Sequence, residues 1–381
     1  MPLLSLAHAL KKASANVQIV YIGLKAEKLA NELRSRYRIF DKVYVVPAGK
    51  FRRYHGESLL AHLVDIRTLW LNAKDFFRFL AGIRTAKRIL GAVKPDVVFS
   101  KGGFVAVPVG LAARSLKIPI VTHDSDSLPG LSNRIVGRFA QVHATGMPAK
   151  HYDYPQESIR YVGIPLDERI KPVTASRQKA FKKQLGLPAE SLVLLVGGAG
   201  HGARDVNNMV LAIAPKLLER FQKLQIIHIA GQQHQKEVMA KYQAAAPDQL
   251  SRLMILGFTA DFYKYTGAAD LIISRAGATT IAELAAQRKA VILIPAPHLS
   301  AGHQLKNAAE LTKHQAALVV ANDSQPEELL KAVSGILDNA SNRRKLADKL
   351  GALAKADAAD KLAGLLLEVA EKNKNEDTKI N

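Results

Sequence analysis

The chain has 381 residues, 48% of them hydrophobic and 23% charged, which is ordinary for a globular protein and long enough for two domains with sizeable cores. It holds no cysteine, which excludes disulfides and thiolate metal sites; no apolar run reaches the roughly 18 residues of a spanning helix, and the start lacks a basic-then-apolar signal pattern. The 54 basic and 33 acidic residues leave a net charge of +21, and residues 1–165 alone carry 25 basic and 11 acidic side chains.

Such a field favours a polyanionic partner. No aromatic RNA-binding run or zinc-finger spacing is present, so no nucleic acid is expected. The expected partner is the anionic inner surface of the cell membrane, with the protein peripheral on its cytoplasmic face.

Short apolar runs alternate with helical patterns throughout, the signature of doubly wound α/β units. In the first half the runs predict strands at Val17–Ile22, Lys42–Val46, Asp96–Ser100, Pro119–Thr122 and Val142–Thr145. A helical region from about Glu57 to Val93 places Trp70, Phe76, Phe77, Phe79 and Leu80 among Arg67, Lys74, Arg78 and Arg84. Part of that set must be the core face of the helix. The aromatics crowd more than one side, however, so some are expected to face outward and meet lipid headgroups.

Gly163-Ile164-Pro165 reads as a linker. Beyond it, strands are predicted at Leu192–Val196, Leu224–Ile229, Leu253–Leu256, Leu271–Ile273, Val291–Ile294 and Ala317–Val320. The expected domains are 1–165, facing the membrane, and 166–355, carrying the most informative turns of the sequence. A C-terminal helix at 356–370 is expected to pack back toward the first domain, and the polar residues 371–381 to form a disordered tail.

The most informative stretch runs from Ser274 to Ala308. A β-branched strand breaks at Gly277, and Ala278 to Gln287 open a helix carrying Thr279, Thr280 and, a turn later, Glu283. After a second strand, His303, Gln304 and Asn307 open another helix. Two consecutive strand-to-helix turns thus gather backbone N–H groups, hydroxyls, a carboxylate and an amide at the carboxyl edge of one sheet, where open α/β sheets bind ligands. A helix N-terminus suits phosphate and a nearby acid suits ribose hydroxyls. Gly197, Gly198, Gly200 and Gly202 follow another strand, as a phosphate cradle would, although many such turns use glycine for geometry alone. With no metal-ligand cluster visible, helix dipoles and N–H groups are left to neutralise a bound diphosphate, and no cofactor is expected.

These segments resemble the MurG family of N-acetylglucosaminyltransferases of peptidoglycan synthesis, within glycosyltransferase family 28. The likeness also runs through G-G-F-V-A-V-P-V-G-L-A-A (Gly102 to Ala113), H-D-S-D-S-L-P-G-L-S-N (His123 to Asn133) and G-G-A-G-H-G-A (Gly197 to Ala203), in order over nearly the whole chain. It implies an α/β fold of two Rossmann-like domains facing a cleft, the glycosyltransferase-B fold. It also implies a UDP-sugar donor and a polyprenyl-diphosphate-linked acceptor.

Carried over residue by residue, the resemblance gives Glu283 the ribose hydroxyls. Ala278, Thr279, Thr280, Ile281 and Ala282 would line the nucleotide and phosphates, and Gln304 would touch the donor sugar or diphosphate. Thr259 falls where the family packs uracil, and Asp126 where a family asparagine touches the donor sugar. Gly102, Gly103 and Phe104 fall on the acceptor side. His123 and Asp124 match a His-Glu pair and are weak candidates for the base.

The chain also departs from the pattern. The Gly197 loop is one residue longer and lacks a serine; Ile164-Pro165-Leu166-Asp167 replaces a donor-contacting arginine with an acid; and Asp126 exchanges an amide for a carboxylate. The family's first strand, whose loop carries its catalytic histidine, has no counterpart. Losing a central strand would leave several backbone hydrogen bonds unmade, at roughly 1–3 kcal/mol each if buried. The natural protein is therefore expected to start upstream of Met1.

The implied reaction is inverting transfer of N-acetylglucosamine from UDP to undecaprenyl-diphosphate-muramoyl-pentapeptide (lipid I), giving lipid II. The alternatives are a diacylglycerol or other lipid glycosyltransferase of the same fold, or a non-catalytic nucleotide-sugar-binding relative.

Overall fold

A computed structural model describes residues 2–23, 38–49, 66–197, 203–297 and 302–380. The chain divides into two compact units, one of residues 1–167 with 357–381 and one of residues 168–356.

The first unit opens with helix α1 (Pro2–Ala13), followed by strands β1 (Val20–Gly23) and β2 (Lys42–Val45), which pair in parallel. A second, four-stranded parallel sheet has the order β3 (Val98–Ser100), β4 (Ile120–Asp124), β5 (Val142–Thr145), β6 (Ile159–Tyr161). Helices α2 (Ile66–Val93), α3 (Ala106–Ser115) and α4 (Leu131–Val136) connect these strands. Strand β4 is buried along its whole length although it reads I-V-T-H-D, so its polar side chains must find partners inside the protein. Thr122 does so through its Oγ1, 2.9 Å from His143 Nδ1 on β5.

In the second unit the parallel sheet has the order β12-β11-β10-β7-β8-β9. These strands are β7 (Leu192–Gly197), β8 (Leu224–Ile229), β9 (Leu253–Leu256), β10 (Leu271–Ser274), β11 (Val291–Leu293) and β12 (Leu318–Val319). The helices in order are α5 (Ala175–Gln184), α6 (Arg204–Arg220), α7 (Gln235–Ala245), α8 (Phe262–Ala268), α9 (Ala278–Gln287), α10 (His303–Lys313), α11 (Pro326–Leu337) and α12 (Ala340–Ala352). Side chains alternate along each strand, so the sheet feeds two cores. Leu194, Val196, Ile226 and Ile273 enter one, with α6 and α11. Val193, Leu195, Ile227 and Ile272 enter the other, with α9 and α10. Burial on both faces is why these strands read as continuous apolar runs.

Three features depart from the sequence reading. Strand β6 was not expected: I-R-Y is short, and only Ile159 of its three residues is buried, as suits an edge strand. Half of the predicted strand ends move, by one to three residues. Helix α13 (Ala358–Ile380) runs through the residues expected to be a disordered tail. It returns to the first unit, where Leu362, Ala363, Leu366 and Val369 form a helical stripe in the core of Leu6 and Leu10 from α1. The helix then continues because its polar positions support it, as in the Lys372–Glu368 pair at 2.7 Å.

Candidate functional site

In the second unit the chain lays β7, β8 and β9 outward in one direction, then returns to place β10 on the other side of β7. The strand order reverses between β7 and β10, and ligands of open α/β sheets bind at such a switch point, beyond the carboxyl ends of the strands. The turn after β7 contains Gly198, Gly200 and Gly202, which lie outside the described residues. The turn after β10 is Arg275-Ala276-Gly277.

Gly277 caps α9 in extended backbone, with Ile281 N–H bonded to its carbonyl at 2.9 Å. Among the described residues no atom lies within 4 Å of where a Cβ would sit on Gly277, so they leave the helix start open. The amides of Ala278, Thr279 and Thr280 come before Ile281, the first intrahelical donor, so they have no acceptor within the helix and lie at its positive end. Thr279, Thr280, Ala282 and Glu283 are half-buried, whereas Ala278 and Ile281 turn into the core and offer only their backbone.

Helix α10 grips both turns. Asn307 Nδ2 donates to Ala276 O at 3.0 Å, fixing the β10–α9 turn from beneath, and Gln304 Oε1 accepts from Ala296 N at 2.9 Å beyond β11. Gln304 therefore uses its oxygen structurally. Arg275, which the sequence did not single out, ties the assembly together. Its guanidinium donates to Ile294 O at 3.1 Å and Asn322 Oδ1 at 2.5 Å, and pairs with Asp205 Oδ2 at 3.3 Å on the first turn of α6. Burial pushes its pKa down, while Asp205 opposes that shift. Thr259 sits on the same carboxyl edge, after β9, where its Oγ1 accepts from Asp261 N at 3.2 Å beside the exposed ring of Phe258.

In the first unit, the turn after β3 holds Lys101, Gly102, Gly103 and Phe104. Both glycines adopt left-handed backbone, φ +88° and +90°, and Phe104 is exposed. His123 and Asp124 end the neighbouring strand β4. His123 is fully engaged: Nε2 lies 2.9 Å from Gly163 O and Nδ1 3.2 Å from Lys101 Nζ. A carbonyl can only accept, so Nε2 carries the ring proton and Nδ1 accepts a hydrogen bond from the Lys101 ammonium. Burial, with the Lys101 charge in support, holds its pKa down at about 3.

Asp124 is equally committed. Its Oδ1 accepts from Asn133 Nδ2 and its Oδ2 from Tyr154 OH, both at 3.0 Å, and burial raises its pKa against these bonds. Both residues are buried and bound to protein partners, which denies them the access of a general base. Both fix the loop that carries Asp126, whose carbonyl is held by Tyr152 OH at 2.8 Å. Asp126 itself is half-buried at the sheet edge.

On α2, Trp70, Phe76, Phe77 and Leu80 are exposed and Phe79 is half-buried. Lys74 Nζ lies 5.2 Å above the Trp70 ring one turn away. The rest of the expected helical region, from Glu57 to Asp65, lies outside the described residues. No helix among the described residues is long and apolar enough to cross a membrane.

Two parallel-sheet α/β units, one with an open helix start and a half-buried carboxylate at its switch point, define the architecture of the glycosyltransferase-B class. The chain matches the glycosyltransferase family 28 N-terminal domain over residues 1–145 and the family 28 C-terminal domain over residues 192–362. It belongs to glycosyltransferase family 28. It is 31% identical to the "UDP-N-acetylglucosamine--N-acetylmuramyl-(pentapeptide) pyrophosphoryl-undecaprenol N-acetylglucosamine transferase" of Halalkalibacterium halodurans, covering 97% of this chain and 96% of the relative. The crystal structure of Acinetobacter baumannii MurG matches with a TM-score of 0.69 at 25% identity, covering 96% of this chain and 95% of that one. A UDP-GlcNAc 2-epimerase from Neisseria meningitidis, solved with UDP-GlcNAc, shares the fold with a TM-score of 0.66 at 13% identity, covering 96% of each chain.

Proposed function

We propose that the protein transfers N-acetylglucosamine from UDP-N-acetylglucosamine to undecaprenyl-diphosphate-muramoyl-pentapeptide, with inversion, to form lipid II. The observation that carries this reading is the β10–α9 turn. An open helix start faces the switch point, Glu283 follows one turn later, and Gln304 holds its amide over the neighbouring strand. The relatives that share this chain from end to end are named for the same transfer.

The residues divide the chemistry between them. The first-turn amides of α9 and its dipole stabilise the negative charge that develops on the leaving diphosphate. Glu283 accepts from the two ribose hydroxyls and so sets the register of the nucleotide. Gln304 donates to the sugar or the diphosphate. Asn307 and Arg275 touch no ligand in this scheme and act by fixing the two turns. On the other unit, the turn of Gly102, Gly103 and Phe104 faces the acceptor.

The exposed aromatics and cations of α2 support a peripheral seat on an anionic membrane surface, where the acceptor's lipid resides. Incubating the protein with labelled donor and vesicles containing the lipid-linked muramoyl-pentapeptide should give labelled lipid II. Intact UDP binding with no labelled product from this acceptor, and transfer to diacylglycerol instead, would replace this reading with that of a glycolipid synthase.

A further inference from the structure

Strand β4 runs into a loop of Ser125, Asp126 and Ser127, and helix α4 ties the end of β4 to the turn after β3. Ser132 Oγ accepts from Gly103 N–H at 3.0 Å. Asn133 Oδ1 accepts from Ser100 Oγ at 3.1 Å, while its Nδ2 donates to His123 O and Asp124 Oδ1, both at 3.0 Å. Lys101 closes the frame, with Nζ 2.5 Å from Ser125 Oγ. Tyr152 OH donates to Asp126 O at 2.8 Å. The main chain of Asp126 is thus fixed relative to Gly102, Gly103 and Phe104.

This frame holds two carboxylates with different prospects. Asp124 is buried and bound to Asn133 and Tyr154. Asp126 is half-buried at the carboxyl edge of the sheet, and its charge reaches the Lys101 ammonium. An amide in its place could donate to a sugar; a carboxylate only accepts. Beside a departing diphosphate, a carboxylate would add like charge to oxygens that are gaining charge, and so oppose the reaction. Beside an attacking hydroxyl the same group is favourable, because it can take the proton.

We propose that Asp126 is the catalytic base of the transfer and takes the proton of the acceptor hydroxyl. This rests on the transfer proposed above, which sets the acceptor against the turn of Gly102, Gly103 and Phe104. In the step, the hydroxyl oxygen bonds to the anomeric carbon of the donor sugar as the bond from that carbon to the diphosphate oxygen breaks. UDP leaves with that electron pair. The hydroxyl proton passes to an Asp126 carboxylate oxygen and from there to solvent. Ser125 and Tyr152 are positioning residues that hold the loop in place.

The test compares Asp126→Asn and Asp126→Glu in the full chain, with thermal melts as the control for folding. The donor is labelled UDP-N-acetylglucosamine, and the acceptor is the lipid-linked muramoyl-pentapeptide in vesicles. Asp126→Asn keeps the size and loses the base, so kcat should fall by about 100-fold or more, while UDP affinity hardly moves. The pH–rate profile is a readout that a mere contact with the donor sugar would leave alone. With the unmodified protein kcat/KM should fall as pH drops, because a protonated base cannot accept. That acid limb should be absent in Asp126→Asn and return in Asp126→Glu. Lys101, His123, Asp124 and Tyr152, the titratable groups around Asp126, are present in all three proteins. A limb owed to one of them would survive in Asp126→Asn.

Unaltered kcat in folded Asp126→Asn overturns the assignment, and so does an intact acid limb. Should Asp126→Asn melt early, Asp126→Ala is judged by the same criteria. If the label goes to diacylglycerol and not to the muramoyl-pentapeptide, the proposed reaction falls. The base then stands or falls on the same comparison made with diacylglycerol as acceptor.

Discussion

In the proposed function Glu283 serves a ligand, and it lies half-buried on α9 outside both cores, so its removal should separate binding from stability. Glu283→Ala loses two charge-assisted hydrogen bonds to ribose, roughly 1.5–3 kcal/mol each before solvent screening. UDP affinity by calorimetry is expected to fall at least about tenfold, Glu283→Gln should fall between, and the melting temperature should hardly move. Unchanged UDP binding in Glu283→Ala would place the nucleotide elsewhere.

The buried histidines predict a pH effect on stability. His123 and His228 are held neutral in the fold, with pKa values lowered from 6.5 to about 3 and about 4, chiefly by burial. Unfolding restores the ordinary value, so below pH 6.5 the unfolded chain binds protons that the fold refuses. Their contribution is complete above pH 6.5 and is lost as pH falls toward 4 and 3, on the order of 2–4 kcal/mol each. Melting temperature should therefore drop between pH 7 and 5, before most carboxylates titrate. A flat profile over that interval would show that these rings are not kept neutral.

What the sequence revealed at this scale were residues whose role is local. Glu283 and Gln304 stand at fixed offsets from a strand end, which put them at the sheet edge, and the family resemblance gave each an expected role. Lys101, Arg275 and Ser132 were missed because their meaning comes from partners far along the chain, such as Ser132 for Gly103, 29 residues away, and Asp205 for Arg275, 70 residues away.

At the level of elements, α2 is the clearest case of a helix with one face too many. Its buried residues Ala86 and Leu90 join the core of β3 and α3, while Trp70, Phe76 and Phe77 point to solvent. A periodicity argument could show that the aromatics exceed one face, but not which of them faced outward. Phe79 is half-buried and its neighbours are exposed. Each exposed ring would bury about 1.5–3 kcal/mol of apolar surface on entering a headgroup layer. Trp70→Ala with Phe77→Ala should therefore reduce binding to anionic vesicles by about tenfold or more. The thermal midpoint should stay within about 2 °C, since exposed side chains contribute little to folding. Equal vesicle binding by the double variant would move the membrane contact to another surface.

The strands were the most legible elements, because burial on both faces imposes an unbroken apolar run. Strand β6, exposed on one edge, lacks that signature and was invisible. Helix α13 was misjudged at its end for a related reason: composition reports polarity, and a helix held by i,i+4 ion pairs is polar without being disordered.

For the molecule as a whole, the excess of charge in residues 1–165 is a property that no single contact expresses. If that field guides the protein to an anionic surface, vesicle association should weaken steeply as ionic strength rises from about 50 to 200 mM. UDP binding, which depends on groups in a switch-point turn, should respond far less. Equal salt sensitivity of the two would argue that the charge has no part in membrane attraction.

The return of α13 to the first unit has a consequence for how the protein is made. The core shared by Leu6 and Leu10 with Leu362 and Leu366 cannot be assembled until those last residues leave the ribosome. The second unit, by contrast, is contiguous in the chain. The part synthesised first is thus completed last, and α1 must wait, its apolar stripe bare, through the translation of residues 14–357, roughly 17–70 s at about 5–20 residues per second. Arrested nascent chains ending near residue 356 should show a protease-resistant second unit and a first unit still cut within residues 2–23. Protection of that segment before α13 emerges would mean that α1 finds its place without its final partner.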